Sequence, residues 1–331
     1  MESLQETSAN PSAGSLTRFL LGQNEIALSL GITSNAVSMA ASKIGVQSQR
    51  LSNRAAFNSS SVRQIFEARN FQYPKEVISF QMLKGGSTKT SSAFNLAVRL
   101  NHYGARVLCF DLDMQGNLTD ALGHQVGDEP VFYHVAAGEA KIQDAIVPIS
   151  ENLDLIPSDF ENSTLDFLIT SKRLDLRGFI TNALAPIADN YDFIIIDCNP
   201  SLSALNISIA LASDRVIIPI NPDKFAAKGL KKTIEELARV SAEYGTEIDY
   251  NLLFTLFDGR EGTSQRYLIE YGGQYKDKLF PVIIKRNADV KNAVDMRKSI
   301  FDIPKAAARE DFDLLAWEIL RFPKPERRGN A

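Results

Sequence analysis

The chain has 331 residues, 44% hydrophobic and 23% charged, with a net charge of −4 at neutral pH. That is ordinary globular composition, long enough for one large domain or two around a substantial core. It excludes a chain held by membrane-spanning helices, since no apolar run nears the ~18 residues a span needs, and it makes any nucleic-acid contact local.

Residues 1–14 are rich in Ser, Asn and Glu, with neither a basic start nor an apolar stretch, so no secretory signal is expected and the chain reads as cytoplasmic. Cys109 and Cys198 fall in apolar runs and read as small core residues in a reducing compartment. The charge is uneven. Residues 1–75 hold seven Lys/Arg against four acids, net +3, which leaves −7 for the remainder. A basic head on an acidic body suggests a separate nucleic-acid module.

In the head, Gln23 to Ser38 reads as helix, tight turn, helix. Ile26, Leu30, Ile32, Val37 and Ala40 would form the shared core, with small Ala27 where the helices cross. Gly31 can take the left-handed turn conformation, and Ser34 or Thr33 can cap the second helix. The pattern resembles a helix-turn-helix, whose second helix enters the major groove. Its candidate DNA-facing residues are Thr33, Ser34, Asn35, Ser38, Ser42 and Lys43. A plain helical hairpin would show the same apolar positions. A second helical piece runs from Ser59 to Asn70, and Tyr73-Pro74 marks a boundary, because proline cannot continue a helix. The division expected is an all-α region over residues 1–72 and a larger domain over 73–331.

The larger domain opens on the stretch from Val77 to Ser92. An apolar strand leads into Lys84-Gly85-Gly86-Ser87-Thr88-Lys89-Thr90-Ser91, and then into a helix. The glycines let backbone N–H groups turn inward around an anion, and the helix start adds its positive dipole end. Lys89 supplies a point charge for outer phosphates and Thr90 a hydroxyl for Mg²⁺. The usual phosphate loop is G-x-x-x-x-G-K-[ST]. This one lacks the first glycine, has Thr88 where the second should be, and carries an additional lysine, Lys84.

Next, the run 106–110 ends in Asp111-Leu-Asp113-Met-Gln-Gly-Asn117, two acids at the C-terminal end of a strand, where α/β sheets bind ligands. Leu153 to Pro157 is another short strand. Phe193-Ile-Ile-Ile-Asp197 repeats the strand–acid pattern, Asp214 to Pro222 and Leu252 to Asp258 continue the series, and Val282-Ile-Ile-Lys285-Arg286-Asn287 is the last strand and turn. Short apolar strands alternating with helical stretches give an α/β fold with a mainly parallel twisted sheet covered by helices on both faces. The last helix, about Arg309 to Phe322, is acid-rich and should pack on the body; Arg327-Arg328 follow only after two prolines.

The K-G-G-x-x-K-[ST] loop, the D-x-D-x-Q-G-N string and the strand ending at Asp197, in that order, resemble the ParA/MinD ATPases and, with the helix-turn-helix ahead, the larger plasmid-type ParA subgroup. The resemblance runs from about Val77 to Phe322. It implies a P-loop ATPase in which residues 84–91 bind ATP, Lys84 reaches the partner subunit's phosphates in an ATP-dependent homodimer, and Asp113 orients the attacking water. Thr90, Asp113 and Asp197 would surround Mg²⁺, and Asp111 would support the loop. Lys84, Lys89, Asp113 and Asp197 are thus the expected catalytic set. The departures are Asn199 where the family has a proline after the acid, and Lys285 in place of another. The resemblance further implies nonspecific DNA binding by the ATP dimer, hydrolysis stimulated by a ParB-like centromere-binding partner, a nucleoid location, and an operator-binding head that represses its own genes. For nonspecific DNA the expected residues are Lys285 and above all Arg286, with Asp289 as the acid that would otherwise pair with it. Turnover should be slow alone, since no arginine finger is recognisable. Three other readings compete: a regulator using ATP only as a conformational ligand, a MinD-like ATPase cycling on membranes, against which the acid-rich tail speaks, and an iron–sulfur reductase, for which the cysteines lack ligand spacing.

Overall fold

The structure is a computed structural model that describes residues 20–51 and 53–323. Expectations for residues 1–14 and for Arg327-Arg328 lie outside the described residues.

The body is an eight-stranded sheet. Its strands are β4 (Glu76–Phe80), β5 (Val107–Asp111), β6 (Val147–Ser150), β7 (Leu153–Ile156), β8 (Phe193–Asp197), β9 (Arg215–Ile220), β10 (Tyr250–Phe257) and β11 (Leu279–Lys285), in the order 11-10-9-4-8-5-7-6. Every neighbouring pair is parallel except β6 with β7 at the edge. The central strands are apolar on both faces, and β5 and β8 are buried throughout, as a sheet covered on both sides requires. Between β4 and β5 runs α4 (Lys89–His102), buried along almost its whole length; the amphipathic α10 (Lys224–Tyr244) and the closing α13 (Ala308–Leu320) also cover the sheet. The closing helix packs against α4 and β11 through Phe312, Leu315 and Trp317, the role its sequence indicated.

The head contains α1 (Gln23–Ser29), a tight turn and α2 (Ser34–Lys43), and ends in α3 (Ser59–Glu67). Gly31 takes the left-handed conformation in the turn, and Thr33 rather than Ser34 caps α2, its Oγ1 accepting from the Ala36 N–H at 3.2 Å. Ile26 and Val37 are fully buried as expected, but Ala40 is only half-buried and Ala41 takes the interior place. The expectation of an all-α head is corrected. Strands β1 (Leu20–Gly22), β2 (Gln49–Leu51) and β3 (Arg54–Asn58) form an antiparallel sheet in the order 1-3-2. These strands are three to five residues long and β2 is exposed throughout, so no period-2 apolar pattern announces them.

One hydrophobic cluster runs from the head into the body, joining Leu21, Ile26, Val37 and Ile65 to Phe94, Val98 and Trp317. Around Phe322 the rings of Phe66, Phe71, Tyr103 and Trp317 gather at 5.1–5.6 Å. The junction also holds buried charge. Arg99 of α4 donates to Glu25 of α1 and to Asp313 of α13, both at 2.7 Å. Arg63 of α3 bonds Asp192 at 2.5 Å. Head and body therefore share a core across Tyr73-Pro74.

Candidate nucleotide site and basic surfaces

The loop between β4 and α4 lies at the C-terminal edge of the sheet, beside the ends of β5 and β8. Gly86 has φ +70°, and a Cβ placed on Gly85 or Gly86 would meet open space, so this part of the loop is open to solvent. Thr88 also sits in the left-handed region, at φ 65° and ψ 18°. For a β-branched residue that conformation is strained by about 1–2 kcal/mol, the kind of strain retained at ligand clamps. Its Oγ1 donates to the Ser87 carbonyl at 2.5 Å, and the Ser91 hydroxyl donates to the Thr88 carbonyl at 3.2 Å. The loop is anchored from outside by Asn221, whose amide donates to the Gly86 carbonyl at 3.1 Å and accepts from Thr255 at 2.8 Å.

The structure brings the sequence-selected groups together. Lys89 opens α4 and is nearly buried, with no acidic partner within ion-pair distance among the described residues. The Thr90 hydroxyl donates to Asp197 Oδ2 at 2.6 Å. Asp111 and Asp197 are register partners on β5 and β8. Asp111 accepts from the Thr119 N–H and hydroxyl at 2.9 and 2.8 Å, and from the Asp113 N–H at 3.1 Å. Asp113 in turn accepts from the Gln115 N–H at 3.1 Å. Burial pushes Asp197 well above the ordinary carboxylate range, with the neighbouring Asp111 adding to it and the Thr90 bond and Lys89 opposing it. Burial likewise raises Asp111, against the bonds from Thr119. Two carboxylates held this close without a cation cannot both ionise freely.

Three buried polar atoms here have no partner among the described residues: Asp197 Oδ1, Ser87 Oγ and Ser92 Oγ. Buried oxygens without a bond are rare unless a ligand or ion supplies one. A hydroxyl and a carboxylate with unused valence are the donors Mg²⁺ takes when phosphates and water complete its shell. No group of three or more His, Cys, Asp or Glu among the described residues could hold a metal alone. The residues thus fit Mg²⁺ brought with a nucleotide. Lys84 does not point into the loop. Its Nζ bonds both oxygens of Asp223 at 2.9 and 2.7 Å, and Asp223 also caps α10 through the Phe225 and Ala226 N–H groups. Asn221 and Asp223 were not selected from sequence; the strand-end Asn221-Pro222-Asp223 was the available signal.

Of the six head residues proposed to face DNA, three have local work. Thr33 is the cap, while Ser34 and Ser38 hold α1 to α2 through Asn24 and Gln23 at 2.6 Å. Asn35, Ser42 and Lys43 are exposed on α2, and the β2–β3 hairpin beside it presents Arg50 and Arg54, which have no side-chain partner among the described residues. In the body, Lys285 is tied to buried Asp311 at 2.7 Å. Arg286 pairs with Glu261 at 3.4 Å rather than with Asp289.

A family model described as an AAA domain matches residues 75–250. The sporulation initiation inhibitor protein Soj of Bacillus subtilis is 32% identical over 250 residues, covering 74% of this chain and 98% of that protein. The chromosome partitioning protein ParA of Caulobacter vibrioides is 31% identical over 255 residues, covering 75% and 94%. Among solved structures, a putative plasmid partition protein from Borrelia burgdorferi bound to AMPPNP superposes with a TM-score of 0.60 at 25% identity, covering 74% and 98%.

Proposed function

The chain belongs to the ParA/Soj family of partition ATPases, and from that premise we propose that it hydrolyses ATP in a Mg²⁺-dependent cycle that moves DNA. The observation that carries this reading is that Thr90 bonds Asp197 with Lys89, Asp111 and Asp113 close by, while Asp197 Oδ1 is buried and unpartnered among the described residues. Gly85, Gly86 and Ser87 offer backbone N–H groups to phosphates, and Lys89 adds its charge. Bound Mg²⁺ would neutralise charge on the phosphates and on the Asp111–Asp197 pair. Thr90 and Asp197 would hold it, while Asp113, fixed by the bond from its own N–H to Asp111, orients the attacking water. Lys84 leaves Asp223 to reach the partner subunit's nucleotide, so the active form is an ATP-bound homodimer. A small ParB-like protein stimulates turnover. The ATP dimer binds DNA without sequence preference. Asp113→Ala should keep ATP binding and ATP-dependent dimerisation while losing turnover; normal turnover would remove Asp113 from the mechanism.

For the head, the reading is operator binding, with division of roles at Tyr73-Pro74. The exposed side of α2 enters the major groove through Asn35, Ser42 and Lys43, and Arg50 and Arg54 on the hairpin reach flanking phosphates. Because the head shares its core with the body, deleting it would expose Tyr103, Trp317 and Phe322; point variants are the cleaner test. Asn35→Ala with Lys43→Ala should abolish preference for the chain's own promoter over random DNA and leave ATPase activity intact. Unchanged preference would make the head a packing element.

A further inference from the structure

Residues 224–234 read Lys-Phe-Ala-Ala-Lys-Gly-Leu-Lys-Lys-Thr-Ile, four lysines with no acid among them. They form the first half of α10, and all four lysines are exposed. Lys224, Lys228 and Lys232 recur every fourth residue, so they share a face and advance along it by about 6 Å per step at the α-helical rise. None of the three has an ion-pair or hydrogen-bond partner among the described residues. Lys231 lies beside them, with Glu235 at a loose 3.8 Å. Lys224 stands in the first turn, where the helix dipole disfavours a cation.

The cations near the end of β11 contrast with these. Lys285 is neutralised by Asp311, Arg286 by Glu261, Arg260 by Asp258 and Arg297 by Asp120. A phosphate would have to compete with each of those acids, whereas Lys291 and Lys298 have no ion-pair partner among the described residues. The anion-binding capacity of the body is therefore greater on α10.

We propose that the exposed face of the first half of α10 is a contact surface for the phosphate backbone of duplex DNA. The proposal rests on the reading of the chain as a DNA-moving ATPase and gives that activity a place. Duplex DNA carries one charge per ~1.7 Å of its axis, so a row of lysines finds phosphates in any register, whereas an acidic protein segment would need matched spacing. The face also adjoins the nucleotide site. Asp223, the cap of α10, holds Lys84, and a Cβ on Gly229 would lie 3.0 Å from Met82 and 3.6 Å from Lys84, so the helix rests directly on the loop. Release of Lys84 from Asp223 thus changes the end of the helix that carries the lysines.

The test uses the full chain with ATP and Mg²⁺ on random-sequence duplex DNA across a salt series, comparing wild type, K228Q/K232Q, K228R/K232R and R286A. Gln matches Lys in helix propensity. Each lost phosphate contact lowers the slope of log K against log salt by ~0.9, so K228Q/K232Q should reduce it by about two and weaken binding at every salt concentration. K228R/K232R should keep both, and sizing should show that K228Q/K232Q still dimerises with ATP. Wild-type affinity and slope in K228Q/K232Q would overturn the proposal, as would a reduced slope in R286A alone. Loss of ATP-dependent dimerisation in K228Q/K232Q would overturn it too, placing the face at the subunit interface. Absence of DNA binding by wild type would overturn the parent reading and this one together.

Discussion

Two regions of the chain bury polar groups, and they do so differently. Around the phosphate loop, Asp197 Oδ1, Ser87 Oγ and Ser92 Oγ have no partner among the described residues. At the head–body junction Arg99, only 3% exposed, is met by Glu25, Asp313 and the Tyr103 ring. Unused valence in a buried group is costly unless something arrives to fill it, so the first region is built to receive a ligand. Completed valence makes Arg99 a fixed tie, although Asn101 Oδ1 and Arg106 Nε, also at this junction, have no partner among the described residues. Both regions lie on α4, Lys89 at its first residue and Arg99 ten residues on. The helix that starts at the phosphates thus also carries the arginine that holds the head.

The largest effect expected separates the two by a single residue in each. Lys89→Ala should abolish ATP binding, measured with a fluorescent analogue, while melting without nucleotide stays close to wild type, because removing Lys89 orphans no ion-pair partner. A variant that still bound ATP would take Lys89 out of the site. Arg99→Leu should do the reverse in kind. It removes the buried cation and leaves Glu25 and Asp313, 39% and 29% exposed, to water, so two screened pairs are lost, each worth about 0.2–1 kcal/mol. Denaturant unfolding reads this directly, and an unchanged midpoint would show that the joint is held by its apolar contacts alone.

The same contrast explains what could be read from sequence. Phosphate chemistry demands particular residue types at fixed local spacing, so Lys84 to Ser91, Asp113 and Asp197 stood out, and the strand–acid pattern gave the parallel sheet. Asn221 did not, because one amide at a strand end looks like any turn residue until its bond to Gly86 is seen. The head's docking was also hidden. Arg99 reads as a surface charge in a helix, and its partners Glu25 and Asp313 lie 74 and 214 residues away. The short exposed hairpin strand Gln49–Leu51 has no apolar alternation to find.

A smaller effect concerns the strain in the first region. Thr88 occupies a left-handed position where a Cβ is disfavoured and glycine is not. Thr88→Gly should stabilise the nucleotide-free protein by about 1 kcal/mol, after the greater flexibility of glycine in the unfolded chain is set against the relief. A rise in melting temperature checks it. A fall would mean that the bond from the Thr88 hydroxyl to the Ser87 carbonyl outweighs the strain.

The smallest effect belongs to the joint. Burial alone would raise the Glu25 carboxyl, but the Arg99 guanidinium and the Gly22 N–H outweigh it and hold the group below its ordinary range. A carboxylate whose folded value is depressed binds fewer protons folded than unfolded just below the unfolded value. Its contribution is therefore complete at neutral pH and is lost as pH falls through the ordinary carboxylate range toward the folded value. The Glu25 side chain is 39% exposed, so solvent screens the pair, and exposed pairs are worth about 0.2–1 kcal/mol. Glu25→Gln should thus lower stability by a fraction of a kcal/mol at pH 7, and the two proteins should converge as pH falls below the ordinary carboxylate range and wild-type Glu25 takes up its proton. Parallel stability curves over that fall in pH would show that Glu25 does not exchange protons with folding. The head would then be positioned by Ile26, Val37 and Ile65 in the shared core, with Arg99 serving only Asp313.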